Sequence, residues 1–480
     1  MLKIADGFCD HMLLQRQHPI LVWGTGEPGE SVTVQLANQV GKTLVDATGS
    51  WTLSLPPMEA GRQLTLTLFG ADTTIQIDDV AIGDLYLAAG QSNMEFALGS
   101  EDHYEQARKA ADGKDFRWMG VPQVEYEGDG RDEPLAWRVL NAQNVQDVSA
   151  VALYALLEIA THTDVPLGVI GCYKGGTSAS CWIRKQTLME DPELRQAFYE
   201  PYWDGLETQS EAEEDACRAA YQNELETYQR AVADYQRAYP ERSLSQLKHE
   251  LGHTPWPGPK GKKDFGRPGG LRDTMLRRVL NRPFKAVWWY QGEEDAKSAW
   301  QYEHLLGTLI DEWRHTLGAN VPFFLVQLPG YKEETYVETW PILRQAQAMQ
   351  ALAKPNVDLI CTLDQGDSYN IHPTNKQVVG TRLGQLVSRV FYDPALRALY
   401  PKLRLWRHGE ENVELVFENI DQGSIRLCVD DQTIEAPIRE GIARVAGKAH
   451  TISYAWQNDP ECLTWNALGL PMFPFQIEIE

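Results

Sequence analysis

No stretch of this chain approaches the ~20 consecutive apolar residues that a membrane span requires. The N-terminal stretch MLKIADGFCDHMLLQR also lacks an apolar segment of signal-peptide length. Both absences lead us to expect a soluble, cytoplasmic protein. Basic residues are in short supply, with 44 Lys and Arg against 67 Asp and Glu and a formal charge of -23. Such a field repels phosphate backbones and anionic headgroups, so neither a nucleic acid nor a membrane is expected as a partner. The seven cysteines, at positions 9, 172, 181, 217, 361, 428 and 462, form no CxxC pair and no framework spacing, which excludes zinc ribbons and disulfide scaffolds. Internal repeats and low-complexity tracts are absent. Aromatic residues, by contrast, are plentiful: 15 Trp and 19 Tyr offer flat faces that suit sugar rings as well as cores.

The 480 residues suffice for several domains. Residues 1–80 carry short alternating runs (PILVWGTG, SVTVQLAN, WTLSLPP) between Gly, Pro and Asn turns, and predict an N-terminal β-sandwich. Over 81–400, near-continuous apolar runs (AIGDLYLAAG, VPLGVIGCY, FKAVWWYQG, VPFFLVQLPG, VDLICTL) alternate with helical stretches such as VALYALLEIATHT and YEHLLGTLIDEWRHTLG. That alternation predicts an α/β domain with a parallel sheet covered on both faces. Within it, 207–250 is rich in Glu, Ala, Gln, Tyr and Arg, and predicts a helical insertion extending to about 265. Short strands return over 401–480, so a C-terminal β-domain is expected.

Four strand-end loops carry chemistry-bearing residues. The strand GDLYLAAG runs into Gln91-Ser92-Asn93-Met94, which presents a hydroxyl at a sheet edge. Met94 stands where GxSxG needs glycine, which disfavours a nucleophile elbow. A serine nucleophile needs a base within hydrogen-bond reach, and His372, in Asn370-Ile371-His372-Pro373, is the candidate. Gly175-Gly176-Thr177-Ser178 follows VPLGVI, where glycines let backbone N–H groups approach an oxyanion. Gln291, in Trp289-Tyr290-Gln291-Gly292-Glu293, offers an amide. Each loop alone reads as an ordinary turn.

Together the blocks GDLYLAAGQSNME, GVIGCYKGGTSASCW, KAVWWYQGEEDA and NIHPTNKQVVGTRLG resemble those of the sialate O-acetylesterase family, within the SGNH/GDSL hydrolase clan. The resemblance covers most of the chain outside 207–265. It implies an SGNH-type flavodoxin-like sheet and a serine acetylesterase, a carboxylic ester hydrolase acting on sugars without a cofactor or metal. The expected partner is a small acetylated sugar or oligosaccharide, either a sialic acid or an acetylated xylo- or mannooligosaccharide; the oligomeric state stays open. Carried over by motif, Ser92 matches the nucleophile and His372 the general base. The backbone N–H groups of Ser92 and Gly176 and the Gln291 side chain match the oxyanion donors. Clan members often orient the histidine with an Asp three residues earlier, but Tyr369 stands there. Asp367 is the expected orienting acid, with Asp364 or no acid as alternatives.

Three other functions are open to the sequence. His249-Glu250-Leu251-Gly252-His253 matches the zinc-protease pattern HExxH, yet Gly252 and the following Thr-Pro-Trp-Pro interrupt the helix it requires. Glu293 and Glu294 could be taken for glycosidase carboxylates, although neighbours on one loop point apart. A non-catalytic sugar binder would use the β-domains and tryptophans such as Trp182 and Trp289. Asn93 and Arg344 are further candidates for positioning loops or substrate.

Overall fold

The strand Thr74–Gly90 is the spine of the molecule, and its sequence explains why. Over TIQIDDV burial rises and falls as in a strand with one wet face; from Val80 to Gly90 every residue is buried. Its first part pairs antiparallel with Gly61–Phe69, and Leu13–Gln15 adds a short parallel pairing. Its second part pairs in parallel with Leu167–Tyr173 on one side and Ala286–Tyr290 on the other. The boundary expected near residue 80 therefore falls inside one continuous strand, along which burial and pairing partners change while the backbone runs on. This computed structural model describes residues 1–206, 208–252, 254–332, 335–397, 399–409, 411–461 and 463–479, apart from the side chains of residues 244 and 245.

The central sheet runs Arg138–Val139, Phe116–Gly120, Leu167–Tyr173, Thr74–Gly90, Ala286–Tyr290, Phe323–Val326, Val357–Ile360. All neighbours are parallel except the first pair. With Arg138–Val139 and Phe116–Gly120 set aside, the remaining parallel strands stand in the order 2-1-3-4-5. The winding thus reverses between Thr74–Gly90 and Ala286–Tyr290, and their carboxyl ends flank the crevice where such sheets bind ligands. Helices pack in pairs, Ala150–Ile159 with Gln377–Phe391 and Ala299–Leu317 with Trp340–Ala353. One apolar core extends from Leu2 to Leu470, so the N-terminal strands share it. The C-terminal strands from Lys402–His408 to Phe475–Glu478 form a separate antiparallel sheet with its own core, which includes Val413, Leu415 and Ile425.

The insertion is a helical hairpin. Ser210 and Ser243 each close a capping box, with Glu213 and Gln246, and start the helices Glu211–Ala238 and Leu244–Leu251. Tyr221, Tyr228 and Tyr235 recur every seventh residue and so share one helical face. Their hydroxyls donate to Pro255 O (2.8 Å), Gly252 O (2.8 Å) and Glu250 Oε2 (2.6 Å), laying the returning chain antiparallel along the long helix. Among the described residues no helix is long and apolar enough to cross a membrane. The six described cysteines are free; Cys462 lies outside the described residues.

Candidate active site

The site grows from the strand ends at the reversal of winding. Gly90 has φ 136°, and a Cβ there would stand 2.1 Å from Tyr290 O, so no side chain fits. Gln91 N donates to Tyr290 O at 3.0 Å, while Gln91 Oε1 accepts from Gly292 N (3.3 Å) and Glu294 N (3.4 Å). With the two strand ends joined in this way, Ser92 opens the short helix Ser92–Glu95. The residue is partly exposed, and its hydroxyl lies 2.7 Å from His372 Nε2, across 280 residues of chain. The expected meeting of residues 92 and 372 is therefore present as geometry.

Asn93 holds that meeting in register. Its Nδ2 donates to Glu293 Oε1 (2.6 Å) and to Ile371 O (3.0 Å), and its Oδ1 accepts from Lys376 Nζ at 2.5 Å. Ser92 and His372 are thus flanked by residues bonded to each other. Burial holds the Lys376 ammonium down to about 7 and raises the Glu293 carboxyl, against the attraction between the two charges. Asn370 shapes the histidine loop: its Nδ2 donates to His372 O (2.7 Å), and its Oδ1 accepts from His372 N (3.2 Å) and from Lys248 Nζ (3.0 Å) of the insertion.

The glycine loop lies against the serine. Gly175 N donates to Glu95 Oε2 at 2.5 Å, and a Cβ on Gly175 would stand 3.3 Å from Ser92 Cβ. Gly176 follows with φ 68°. Gln291 differs from expectation. Its Nε2 donates to Thr177 O (3.0 Å) and Asp295 Oδ2 (2.7 Å), and its Oε1 accepts from the Tyr302 hydroxyl (3.0 Å). Both amide hydrogens are therefore committed to holding the glycine loop and Asp295, and the side chain does not offer a spare donor to an oxyanion. Asp295 also receives Ser178 Oγ (2.5 Å) and Ala179 N (2.9 Å), so one buried carboxylate organises the whole turn.

The two acids near His372 have different places. Asp364 forms a bidentate pair with Arg382 (2.6 and 2.8 Å), and both side chains are buried. Asp367 lies in the histidine loop, where its Oδ1 accepts from Tyr369 N (2.9 Å) and Asn370 N (3.0 Å). Tyr369 is exposed and packs against His249, with ring centroids 4.9 Å apart. Arg344 is fully buried and donates to the carbonyls of Leu328, Pro329, Gln457 and Asn458, a structural clamp and no substrate contact. Trp182 and Trp289 are both buried, so neither stacks on a sugar. Glu293 turns inward to Asn93, whereas Glu294 turns to Trp256 and Lys297, which removes the paired carboxylates a glycosidase needs.

The zinc-protease pattern is not supported either. Its helix ends at Leu251, followed by Gly252 at φ 83°, and Glu250 bonds Arg242 and Tyr235. His253 lies outside the described residues. Among those described, no cluster of three or more His, Cys, Asp or Glu side chains suits a metal.

Sequence reasoning missed Trp256 at this site. A Cβ on Gly176 would stand 2.3 Å from Trp256 Cη2, and Trp256 Nε1 donates to Glu294 Oε2 at 2.9 Å. Residues 176 and 256 meet only in three dimensions, so no local pattern could have signalled the contact.

A mouse sialate O-acetylesterase is 24% identical over 428 residues, covering 79% of this chain and 72% of its own. The human enzyme is 24% identical over 422 residues, with 79% and 69% covered. A crystal structure of a carbohydrate acetylesterase from Xanthomonas citri superposes with TM-score 0.78 at 24% identity, over 100% of both chains, and so shares the fold. The family model for carbohydrate esterase, sialic acid-specific acetylesterase, matches residues 82–257 and 263–392. The chain therefore belongs to that carbohydrate esterase family, whose members are acetylesterases and hence carboxylic ester hydrolases.

Proposed function

We propose that this protein removes O-acetyl groups from sugars by serine acyl transfer on an SGNH-type sheet. The observation that carries this is the 2.7 Å contact between Ser92 Oγ and His372 Nε2, both residues being partly exposed. His372 Nε2 takes the Ser92 proton as Oγ bonds to the acetyl carbonyl carbon. The resulting oxyanion is met by the backbone N–H groups of Ser92 and Gly176. Ser92 stands at the first position of its helix, where backbone N–H groups have no intrahelical partner. Gln291 keeps the Gly176 loop in place through Thr177 O. Collapse breaks the bond to the sugar oxygen, which takes the proton from His372. Water then repeats the sequence on the acetyl-serine, releasing acetate and restoring both residues. Asp367 steadies the imidazolium. Asp364, committed to Arg382, is left out of the scheme.

An overall charge of -23 does not steer an anionic sialate inward, so a neutral acetylated oligosaccharide is the favoured substrate. In a cytoplasmic setting, imported oligosaccharides would be deacetylated. The test is acetate release from acetylated xylo- and mannooligosaccharides and O-acetyl sialic acids, beside a Ser92→Ala control. Turnover lost in Ser92→Ala supports the scheme. Turnover that survives the substitution refutes it, and sugar binding without any turnover would make the protein a binder.

A further inference from the structure

Trp256 reaches the site from the insertion and is held by both loops that flank Ser92. The benzenoid edge of its indole lies on Gly176: Cη2, Cζ2 and Cζ3 are the atoms a Cβ there would meet, at 2.3, 2.6 and 3.1 Å. The opposite end of the ring is tied through Nε1 to Glu294, 2.9 Å away on the Gln291 loop. An indole fixed at both ends cannot turn freely, yet 48% of the residue remains exposed. A single exposed aromatic is unremarkable in itself. This one is held rigid beside the oxyanion loop, with open surface facing solvent.

The surroundings define what that surface suits. Phe265 lies near the indole, with ring centroids 6.0 Å apart, and extends the aromatic surface. Of the lysines beside these rings, Lys297 pairs with Glu294 at 2.8 Å, and Lys174, above the Phe265 ring, shares Glu125 (3.1 Å) with Arg131 and Arg218. An aromatic shelf suits the C–H face of an uncharged pyranose.

We propose that Trp256 is a stacking platform for a neutral pyranose ring of the substrate, beside the acetyl group under attack. The inference rests on the acetylesterase function proposed above and narrows it to uncharged acetylated oligosaccharides, making the helical insertion a specificity element of the site.

The test compares wild type, Trp256→Ala and Trp256→Phe on acetylated xylooligosaccharides, 9-O-acetyl-N-acetylneuraminic acid and 4-nitrophenyl acetate. In Trp256→Ala, KM for the xylooligosaccharides should rise about tenfold, and the preference for them over 4-nitrophenyl acetate, in kcat/KM, should fall by a similar factor. Trp256→Phe should recover most of both. A second arm titrates xylotetraose calorimetrically into Ser92→Ala with and without Trp256→Ala, where affinity should drop by a comparable factor. Equal losses on sugar and aryl ester would overturn the proposal, since they make Trp256 packing for the glycine loop alone. An unchanged KM, a loss confined to the sialate, or no xylotetraose binding to Ser92→Ala would overturn it as well. If instead Ser92→Ala stayed active, the esterase scheme would fail while the titration still reported on Trp256.

Discussion

Replacing Gly176 by alanine places a methyl group where the Trp256 ring already lies. The nearest ring carbon stands 2.3 Å from the new Cβ. Carbon atoms settle at about 3.5 Å or more, so the loop and the indole must part by roughly 1 Å. Overpacking of this kind costs about 1–3 kcal/mol. The left-handed backbone at φ 68° adds about 1 kcal/mol for a residue with a Cβ. Unfolding free energy should therefore fall by about 2–4 kcal/mol, measured by urea titration. The Gly176 N–H is one of two backbone donors in the proposed scheme, and losing one such donor lowers kcat by roughly 10²–10³. The assay is kcat on 4-nitrophenyl acetate, a substrate too small to reach a sugar platform. Combining Gly176→Ala with Trp256→Ala removes the collision but leaves the backbone strain. The double variant should regain about 1–3 kcal/mol of stability, and with the loop returned, at least tenfold in kcat relative to Gly176→Ala. A Gly176→Ala enzyme within threefold of wild-type kcat would refute the donor role. A double variant no better than the single one would refute the collision as its cause.

Asp367 and Asp364 should separate cleanly. Asp367→Asn retains the Oδ1 that caps the loop, so it should fold normally yet lose about 10²-fold or more in kcat through loss of the orienting charge. Asp364→Asn strands the buried Arg382 guanidinium and should cost about 3–5 kcal/mol of stability while the folded fraction keeps its kcat; the opposite pattern would exchange their roles. For Lys376, burial lowers the folded-state value to about 7, well below the unfolded ammonium. The unfolded chain therefore binds the extra proton across roughly pH 7–10, and stability from this group rises with pH over that window. Urea unfolding of wild type against Lys376→Met at pH 7 and pH 9 should show the difference moving in favour of wild type by about 2 kcal/mol at the higher pH; an identical difference at both values contradicts the burial argument. Preincubation with a chelator should leave acetate release intact, and a loss reversed by zinc would restore a metal to the mechanism.

How much of the molecule is legible in the chain depends on the distance over which each contact acts. The strand-end loops are legible because unbroken apolar runs such as GDLYLAAG mark doubly covered parallel strands, and the residues just beyond such a run must lie at the sheet's edge. The insertion's helices are legible from their composition, and Ser210 with Glu213 is a start signal written in four residues. A boundary near 80 is suggested by the sequence because a change in burial along Thr74–Gly90 resembles a change of element, whereas the strand itself is unbroken. Gln291 departs from expectation for a different reason. Its motif correctly places the amide at the site, but where the hydrogens go is decided by Thr177 O and Asp295, which come together only when two loops fold against each other. Trp182 and Trp289 show the same limit: both are aromatic in recognisable blocks, and both are buried.

Ser92 and His372 stand 280 residues apart in the chain, and Asn93 supplies a buried polar connection between their loops. Apolar packing fixes the sheet to within the tolerance of side-chain contacts, but the proposed proton transfer between Ser92 and His372 needs one hydrogen-bond length, here 2.7 Å. Asn93, fully buried next to Ser92, commits its amide to Ile371 O and Glu293 and its carbonyl to Lys376. Each of these bonds is directional, and a buried group left without its partner costs about 1–3 kcal/mol, so a slip of the histidine loop relative to the serine turn is penalised several times over. Lys376, four residues beyond His372, donates from the same loop, so that loop is tied to Asn93 on both sides of the imidazole. The insertion adds Lys248 to Asn370 Oδ1 on the outer side. A segment with no counterpart in the parallel sheet thus touches both halves of the site, the histidine loop through Lys248 and the glycine loop through Trp256. Under the proposed scheme, control of substrate choice and support of the Ser92–His372 pair fall to the same hairpin.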